Sequence, residues 1–390
     1  MVEELEKKFK EIYKSKPEHI YRIPSRINLI GEHCDYNGGI VLPCAIDRYL
    51  YMAVSKRKDR ILNFKSLNID DGKDIQLSLD DLKYNKEYGW RNYMLGCFDF
   101  LDIQNIAPDE GLDILIASTI PIGAGLSSSA ALLVGTFYLI RSVYDYSYTD
   151  MTIAGWAVMV ERNYCHVKCG AMDQMAIALA KENKIVGIDC RKSEVFWFDI
   201  DLGDYSFVVL NTNKERSLID SEFNTRTEAC AELEERLSHA YDMVNLCDLK
   251  YDDLGVIQSI LKDDEKGFRR VRHVISEQRR VQDFYQALKI HDIYRMGVIL
   301  NASHKSLKED YEVSCEELDV ICELANKHGA EGARMIGAGF GGCAIALIKK
   351  DKITQFKNRV ESDYYMRIGL TCDIFEVKIV GGPEEIKKQG

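Results

Sequence analysis

Two periods of hydrophobic residues alternate along the chain, and each change of period marks a predicted element. Leu5, Phe9, Ile12 and Tyr13 recur at helical spacing among charged residues, which predicts an amino-terminal surface helix with one apolar stripe. Runs rich in β-branched and aromatic residues predict strands at residues 40–42, 49–54, 112–117, 196–198 and 207–210. The first of these runs follows Asn37-Gly38-Gly39, a sequence typical of a hairpin turn.

The middle of the chain changes from strand to helix across a glycine-containing loop. The strand predicted at 112–117 is followed by two glycines, three serines and an apolar segment at 130–144, which predicts the order strand, loop, helix. Residues 155–180 favour two helices joined near Gly170, and residues 217–324 favour charged helices. Residues 337–348 and 372–380 are strand-rich, so the pattern as a whole predicts an α+β protein.

Length sets the expected number of domains. The 390 residues are more than twice the roughly 150 residues of a typical domain, which predicts two domains. The sequence shows no low-complexity linker and no repeat of fixed period. We place the boundary near residue 200 and predict domains at residues 1–200 and 201–390.

Composition and charge narrow the class of protein. Hydrophobic residues make up 46% and charged residues 29%, which excludes disordered and collagen-like chains. The 51 Lys and Arg residues against 62 Asp and Glu residues give a net charge of −11. Because phosphate backbones are held by excess positive charge, nucleic acid is not expected as a partner.

Cysteine usage and hydropathy indicate a cytoplasmic location. The first 16 residues lack the apolar core of a signal peptide, so the twelve cysteines are expected to be reduced thiols. Cys165 and Cys169 flank His166 without a second Cys/His pair, which favours ordinary thiols over a metal site. Pro121 and glycines interrupt the uncharged run at 114–140, so no membrane span is predicted.

A glycine and serine segment at residues 121–131 is the first candidate for phosphate binding. Its glycines would let backbone N–H groups approach a ligand, and the helix that follows would offer its positive dipole end. It is not a Walker A loop, because the spacing fails and no lysine is present. A tight turn with a serine helix cap is the structural alternative. The candidate phosphate ligands are Gly123, Ala124, Gly125, Ser127, Ser128 and Ser129.

A second segment, residues 22–39, gathers titratable groups beside apolar residues that should be buried. Arg26, Glu32, His33 and Asp35 would supply donors and acceptors for the vicinal hydroxyls of a sugar. The alternative is a solvated turn in which these side chains bond to their own backbone.

The third segment, residues 332–343, contains a GxGxxG match at Gly337, Gly339 and Gly342. A dinucleotide-binding loop would be followed by a helix, whereas here the strand-like residues 344–348 follow. Dinucleotide binding is therefore not expected.

These three segments, in this order and at this separation, resemble the three motifs of the GHMP kinase superfamily. Residues 26–39 resemble the sugar signature of the galactokinase family within it, and residues 169–174, 272–277 and 303–314 are similar to other galactokinase motifs. The resemblance covers about residues 20–380. It implies a two-domain α+β kinase with a ribosomal-S5-like amino-terminal domain and a ferredoxin-like carboxy-terminal domain. The implied reaction transfers the γ-phosphoryl group of ATP to the anomeric hydroxyl of galactose, giving galactose 1-phosphate and ADP.

The resemblance also assigns catalytic and sugar-binding residues. The aspartate of the C-G-x-M-D-Q motif, here Asp173, would contact the anomeric hydroxyl, and Arg26 would keep it ionised and stabilise the phosphoryl group in flight. Gly170 of the same motif is placed with the sugar site, as are the segment-one residues Glu32, His33 and Asp35.

Metal and nucleotide residues follow from the same resemblance. Glu161 and Ser129 stand where the family binds magnesium, so Mg²⁺ is expected with ATP. Ser66 and Trp90 resemble residues on the adenine side, although Trp90 also fits an ordinary core aromatic.

Three residues depart from the galactokinase pattern, all on the sugar side. Ser25 replaces a glycine, Cys34 a threonine and Phe223 a tyrosine whose hydroxyl reaches the sugar. Two alternatives therefore stay open: a kinase for a related sugar, such as an amino or modified galactose, and a non-catalytic sugar sensor. Sensor relatives lack residues from the serine-alanine stretch that is complete here, which favours the enzyme. The sequence leaves the oligomeric state open.

Overall fold

The computed structural model describes residues 1–69, 75–214 and 219–388. The amino-terminal part begins with helix α1 (Val2–Tyr13), whose Leu5 and Phe9 are buried as the apolar stripe predicts. Its strands are β1 (His19–Asn28), β2 (Ile40–Val41), β3 (Pro43–Lys56), β4 (Ile61–Ser66), β5 (Leu77–Ser78), β6 (Leu112–Ser118), β7 (Lys184–Asp189) and β8 (Glu194–Asp199). Its further helices are α2 (Arg91–Ile103), α3 (Ser128–Val143), α4 (Asp150–Asn163) and α5 (Met172–Ala178).

The carboxy-terminal part is rich in helices, as its pattern predicts. Its strands are β9 (Tyr205–Asn211), β10 (Gly332–Met335), β11 (Cys343–Lys349), β12 (Asp373–Glu376) and β13 (Glu384–Lys388). Its helices are α6 (Ile219–Ser238), α7 (Leu254–Ile260), α8 (Glu265–Lys289), α9 (Ile293–Glu309), α10 (Glu316–Lys327) and α11 (Ile353–Ile368). Among the described residues, no helix is both long enough and apolar enough to cross a membrane.

A six-stranded sheet of order β13-β1-β3-β6-β4-β5 forms the centre of the amino-terminal part. Helices α3 and α5 pack on β1 and β3, and their apolar faces share one core with the sheet. This packing places the start of α3 and the start of α5 beside the end of β1. The residues that follow Ile27 are thereby brought next to the glycine and serine loop.

The predicted turn after residue 36 differs from a simple hairpin. Residues Asp35–Asn37 form a single turn of 3-10 helix, and Gly38 takes the left-handed conformation that ends it. Strand β2 then pairs with β7 instead of folding back on β1. Asp35 and Tyr36 of this turn line the cavity described below.

A four-stranded antiparallel sheet of order β10-β11-β9-β12 forms the centre of the carboxy-terminal part. A second core lies between this sheet and helices α8, α10 and α11. Residues 337–342, part of the section 337–348 expected to be strand-rich, form a glycine turn between β10 and β11.

The two parts are joined by more than the chain connection near residue 200. Strand β13 returns to the amino-terminal sheet and pairs with β1, and Val281 and Phe284 of α8 belong to the amino-terminal core. The α+β class is confirmed. The boundary between residues 1–200 and 201–390 stays a prediction.

Candidate active site

A cavity of about 520 Å³ lies where the three sequence segments meet. The first segment contributes Arg26, Glu32, His33, Asp35 and Tyr36. The glycine and serine loop contributes Gly123, Gly125, Ser127, Ser128 and Ser129. The turn after β10 contributes Gly337 and Ala338, and the remaining wall is Glu161, Val167, Cys169, Gly170, Met172, Asp173 and Phe223. The fold thus brings together residues that are far apart in the sequence.

Arg26 and Asp173 form the centre of the cavity. The Nε of Arg26 donates to Oδ1 of Asp173 at 2.7 Å, and its Nη2 donates to Oδ2 at 2.8 Å. The Arg26 side chain is 5% exposed, whereas that of Asp173 is 30% exposed and open to the cavity. Burial alone would lower the pKa of Arg26, but Asp173 raises it above its ordinary value. The two side chains are therefore joined by two parallel hydrogen bonds, and Asp173 is accessible from the cavity.

The glycine and serine loop is tied to the same pair. Arg26 Nη1 donates to the Gly125 carbonyl at 3.1 Å, and Ser127 Oγ donates to Asp173 Oδ2 at 2.5 Å. Gly123 and Gly125 have positive φ angles of 69° and 74°, and Ser127 has one of 61°. Helix α3 begins at Ser128, and Ser128 and Ser129 of its first turn line the cavity. Of the six residues predicted to bind phosphate, Ala124 is buried and does not line the cavity.

The sugar segment presents a neutral histidine to the cavity. His33 has a φ of 62°, and its Nδ1 shares a 2.7 Å hydrogen bond with the Tyr36 hydroxyl. Its Nε2 is buried and has no hydrogen bond of good geometry in the described part of the chain, although the Ala338 backbone also acts on the ring. Burial lowers the pKa of His33 well below its ordinary value, so the ring is neutral. A ring nitrogen without a well-formed hydrogen bond beside an open cavity is suited to a ligand hydroxyl.

Asp35 depends on a glycine opposite it. A Cβ at Gly170 would lie 1.7 Å from Asp35 Oδ2, so only glycine allows the Asp35 carboxylate to occupy its position. Burial, and then the charge of Asp173, raise the pKa of Asp35 to about 6. This close approach accounts for a glycine at position 170, whereas a role of Gly170 in sugar binding stays a prediction.

Glu161 is a buried carboxylate without a cationic partner in the described residues. It is 5% exposed, accepts a hydrogen bond from Gln174 Nε2 and bonds with the Ser129 hydroxyl. Burial, together with the charge of nearby Asp173 and against the hydrogen bonds of Ser129 and Gln174, raises its pKa to about 7. A Mg²⁺ ion is commonly held by one or two carboxylates, a hydroxyl and substrate phosphates, so this donor set fits the ion. Within the described residues, no group of three or more Asp, Glu, His or Cys side chains could hold a metal alone.

The two predicted adenine-side residues do not line this cavity. Ser66 ends β4, and Trp90 precedes α2, whose Arg91 Nε donates to the Phe64 carbonyl of β4. The two residues therefore sit on neighbouring elements. Trp90 Nε1 is buried and lacks an acceptor among the described residues. Their role stays a prediction.

Two buried charges at the site have no role in the sequence-based prediction. Arg334 of β10 is fully buried and donates to the Glu32 carboxylate, and Glu277 of α8 is fully buried behind the same segment. Both lie in motifs that the sequence singles out. A signal was present, because an arginine inside the otherwise uncharged run 332–348 requires a buried carboxylate partner.

The structure also shows where the three residues that depart from the galactokinase pattern lie relative to the cavity. Phe223 lines the cavity, with its ring 5.5 Å from that of Tyr36 and 6.1 Å from that of His33. Ser25 Oγ donates to the Leu126 carbonyl at 2.8 Å and so fastens the serine loop to β1. Cys34 is fully buried and does not line the cavity.

Residues 7–56 match the family described as "Galactokinase galactose-binding signature", residues 92–181 match "GHMP kinases N terminal domain", and residues 284–365 match "GHMP kinases C terminal". A galactokinase of Clostridium perfringens is 39% identical over 372 residues, covering 95% of this chain and 96% of that protein. One of Lactiplantibacillus plantarum is 37% identical over 384 residues, covering 98% and 99%. The chain belongs to the galactokinase family.

The solved structures agree with membership of the galactokinase family. A Lactococcus lactis galactokinase complexed with galactose has a TM-score of 0.95 at 32% identity. The match covers 99% of this chain and 100% of that chain. A mevalonate kinase of Methanococcus jannaschii has a TM-score of 0.67 at 23% identity and shows the shared fold. The expected two-domain GHMP kinase fold is therefore confirmed, and the chain is a sugar kinase of this family.

Proposed function

We propose that this chain transfers the γ-phosphoryl group of ATP to the anomeric hydroxyl of galactose, giving galactose 1-phosphate and ADP. The observation that carries the proposal is the Arg26–Asp173 pair, which lies between the sugar segment and the serine loop. One wall of the cavity thus offers groups for hydroxyls, and the other offers backbone N–H groups for phosphates.

The hydrogen bonds of Asp173 determine which oxygen meets the sugar. Oδ2 accepts from both Arg26 and Ser127, whereas Oδ1 accepts only from Arg26. Oδ1 is therefore the oxygen that takes the anomeric hydroxyl proton. The hydroxyl oxygen forms a bond to the γ-phosphorus while the bond to the β–γ bridging oxygen breaks and ADP leaves. Arg26 stabilises the negative charge that spreads over the phosphoryl oxygens.

Glu161 and Ser129 would hold Mg²⁺ beside the phosphates. The buried carboxylate, its raised pKa and the absence of a cationic partner in the described residues support this assignment. When bound, Mg²⁺ neutralises charge on the β- and γ-phosphates. Ser66 and Trp90 are proposed to lie on the adenine side of the bound ATP. The unpartnered indole N–H of Trp90 supports the assignment of Trp90.

Glu32, His33 and Asp35 are proposed to bind the remaining sugar hydroxyls. His33 Nε2 has no hydrogen bond of good geometry in the described residues, and the raised pKa values of the two carboxyls reflect charge held in a buried site. Phe223 adds no hydroxyl to this wall. A cytoplasmic location is also proposed, since none of the twelve cysteines, all in described residues, forms a disulfide.

ADP release from purified protein with MgATP tests the proposal. A panel of galactose, glucose, galactosamine and N-acetylgalactosamine should give the highest kcat/KM with galactose. A higher kcat/KM with an amino sugar would make the chain a kinase for that sugar. Galactose binding without ADP release for any sugar would instead identify a sensor and overturn the proposal.

A further inference from the structure

We propose that Arg334 and Glu277 act as a positioning pair that fixes Glu32 for sugar binding, so that they set the affinity for the sugar and not for ATP. The inference rests on the proposed function, because it takes Glu32 as a ligand of the sugar. Neither residue of the pair lines the cavity.

Arg334 holds the carboxylate of Glu32. Its guanidinium is fully buried and donates to Glu32 Oε2 and, at 3.4 Å, to the Leu29 carbonyl of the same segment. Nε donates to the Met335 carbonyl at 2.8 Å, which fixes the guanidinium against its own strand. These acceptors fix the planar guanidinium group of Arg334. The guanidinium in turn fixes the orientation of the Glu32 carboxylate that it contacts.

Glu277 holds the backbone of the same residue. Its Oε1 accepts the N–H groups of Gly31 at 3.1 Å and Glu32 at 3.3 Å, together with the Ser303 hydroxyl at 2.8 Å. Its Oε2 accepts from Arg280 Nε at 2.5 Å. Burial alone would raise the pKa of Glu277, but Arg280, His273 and Arg334 lower it to about 2, so the anchor is ionised.

Glu32 is therefore held at both ends, its amide by α8 and its carboxylate by β10. Arg334 Nη1 lies 3.8 Å from Glu277 Oε1. This ion pair joins the contacts to the Glu32 amide and to the Glu32 carboxylate into one buried network. Strand β10 leads directly into the turn that places Gly337 and Ala338 in the cavity wall. The network thus connects the sugar segment to the third glycine segment, and within the described residues no hydrogen bond of Arg334 or Glu277 goes to the serine loop.

The positioning pair should affect the binding of the sugar and leave the binding of ATP almost unchanged. With Arg334 replaced, Glu32 can rotate, and a misplaced ligand weakens binding of the groups that it contacts. We expect Arg334→Met to raise the galactose KM by about 10-fold or more. The ATP KM should change less than about twofold, because no hydrogen bond of Arg334 or Glu277 within the described residues goes to the loop at 123–129.

The charge of Arg334 also predicts a change in pH dependence. Burial raises the pKa of Glu32 to about 7, and Arg334 and Arg26 oppose that rise. The other charged or titratable groups around it are Asp35 of the 3-10 turn, Asp173 of α5, and Glu277 and His273 of α8. Removing Arg334 leaves mainly acids around Glu32, so its pKa should rise. The acidic fall in kcat/KM for galactose should therefore move to higher pH.

The test compares wild-type protein with Arg334→Met, Arg334→Lys and Glu277→Gln by ADP release at varied galactose, ATP and pH. Arg57→Met is the matched control, because Arg57 forms ion pairs with Asp59 and Asp113 away from the cavity. Arg334→Met should raise the galactose KM and move the pH profile, Glu277→Gln should raise the galactose KM, and Arg334→Lys should restore the pH profile more than the KM. Arg57→Met should change none of these values.

A galactose KM within twofold of wild type in folded Arg334→Met would overturn the inference, as would equal changes in the KM values for galactose and ATP. If Arg334→Met does not fold, Arg334→Lys decides, since it keeps the charge but not the fork, and an unchanged galactose KM refutes the pair. Wild-type protein without galactose-dependent ADP release would refute the proposed function itself, which separates the two failures.

Discussion

Replacing Asp173 by asparagine removes the proton acceptor while keeping its size. Arg26 loses the charge that faces it but keeps an amide oxygen as an acceptor, and Ser127 loses its partner on Oδ2. A positioned general base contributes roughly 10²- to 10⁴-fold to rate, or about 2.7 to 5.4 kcal/mol. We therefore expect kcat to fall by at least about 100-fold in Asp173→Asn, with the ATP dissociation constant kept within a few-fold.

The same change also tests stability, because the buried Arg26 loses the carboxylate that it hydrogen-bonds, while Glu32 and Asp35 act on it only as nearby charges. Breaking a buried ion pair costs about 3 to 5 kcal/mol, and the 30% exposure of Asp173 should bring the loss to the lower end or below it. Asp113→Asn is the matched control, since Asp113 accepts 2.7 Å hydrogen bonds from Arg57 and Asn63 outside the cavity.

The assay measures kcat by ADP release, ATP binding by calorimetry and the free energy of unfolding in urea for both variants. Asp113→Asn should lose stability without losing kcat. A folded Asp173→Asn protein that binds ATP and retains more than about a tenth of the wild-type kcat would refute the assignment of Asp173 as the proton acceptor.

Four further predictions concern the metal, the sugar wall and pH. Glu161→Gln should raise the Mg²⁺ concentration for half-maximal rate far more than the galactose KM, and an unchanged magnesium titration would make Glu161 a structural acid. Phe223→Tyr adds one hydroxyl, worth about 0.5 to 1.5 kcal/mol, so it should lower the galactose KM by less than about tenfold. Gly170→Ala should raise the galactose KM, because its Cβ would meet Asp35, whereas Gly155→Ala has open space and serves as control. Glu32 and Asp35, whose pKa values are raised to about 7 and about 6, bind hydroxyls as carboxylates. The kcat/KM for galactose should therefore fall as pH drops through 7 to 6, and a flat profile would contradict the ionised form.

Local patterns predicted the elements whose residues determine their own conformation. The strand at 112–117, the start of α3 among the serines and the stripe of α1 follow from local patterns, and the structure confirms them. The N-cap Ser127, however, makes no side-chain capping hydrogen bond. The pairing of β13 with β1 could not be predicted this way, because it depends on contacts between the two ends of the chain.

The candidate site likewise has features that local patterns predict and features that depend on tertiary structure. The three motifs pointed to residues that the fold brings to one cavity, whereas their roles in binding and catalysis stay predictions. The partner of Glu32 was not predicted, because Arg334 lies 302 positions away in the sequence and the two meet only in the folded chain. Ser127 was grouped with the phosphate ligands, yet its positive φ turns the hydroxyl towards Asp173, a consequence of tertiary structure. Whether it also contacts phosphate stays a prediction.

Phosphorus NMR of the product formed from galactose and MgATP tests the central claim most directly. The account predicts one new phosphomonoester whose phosphorus couples to the anomeric proton of galactose, appearing in step with ADP. A phosphorus coupled to the C6 protons, or ADP formed together with inorganic phosphate and no sugar phosphate, would contradict it.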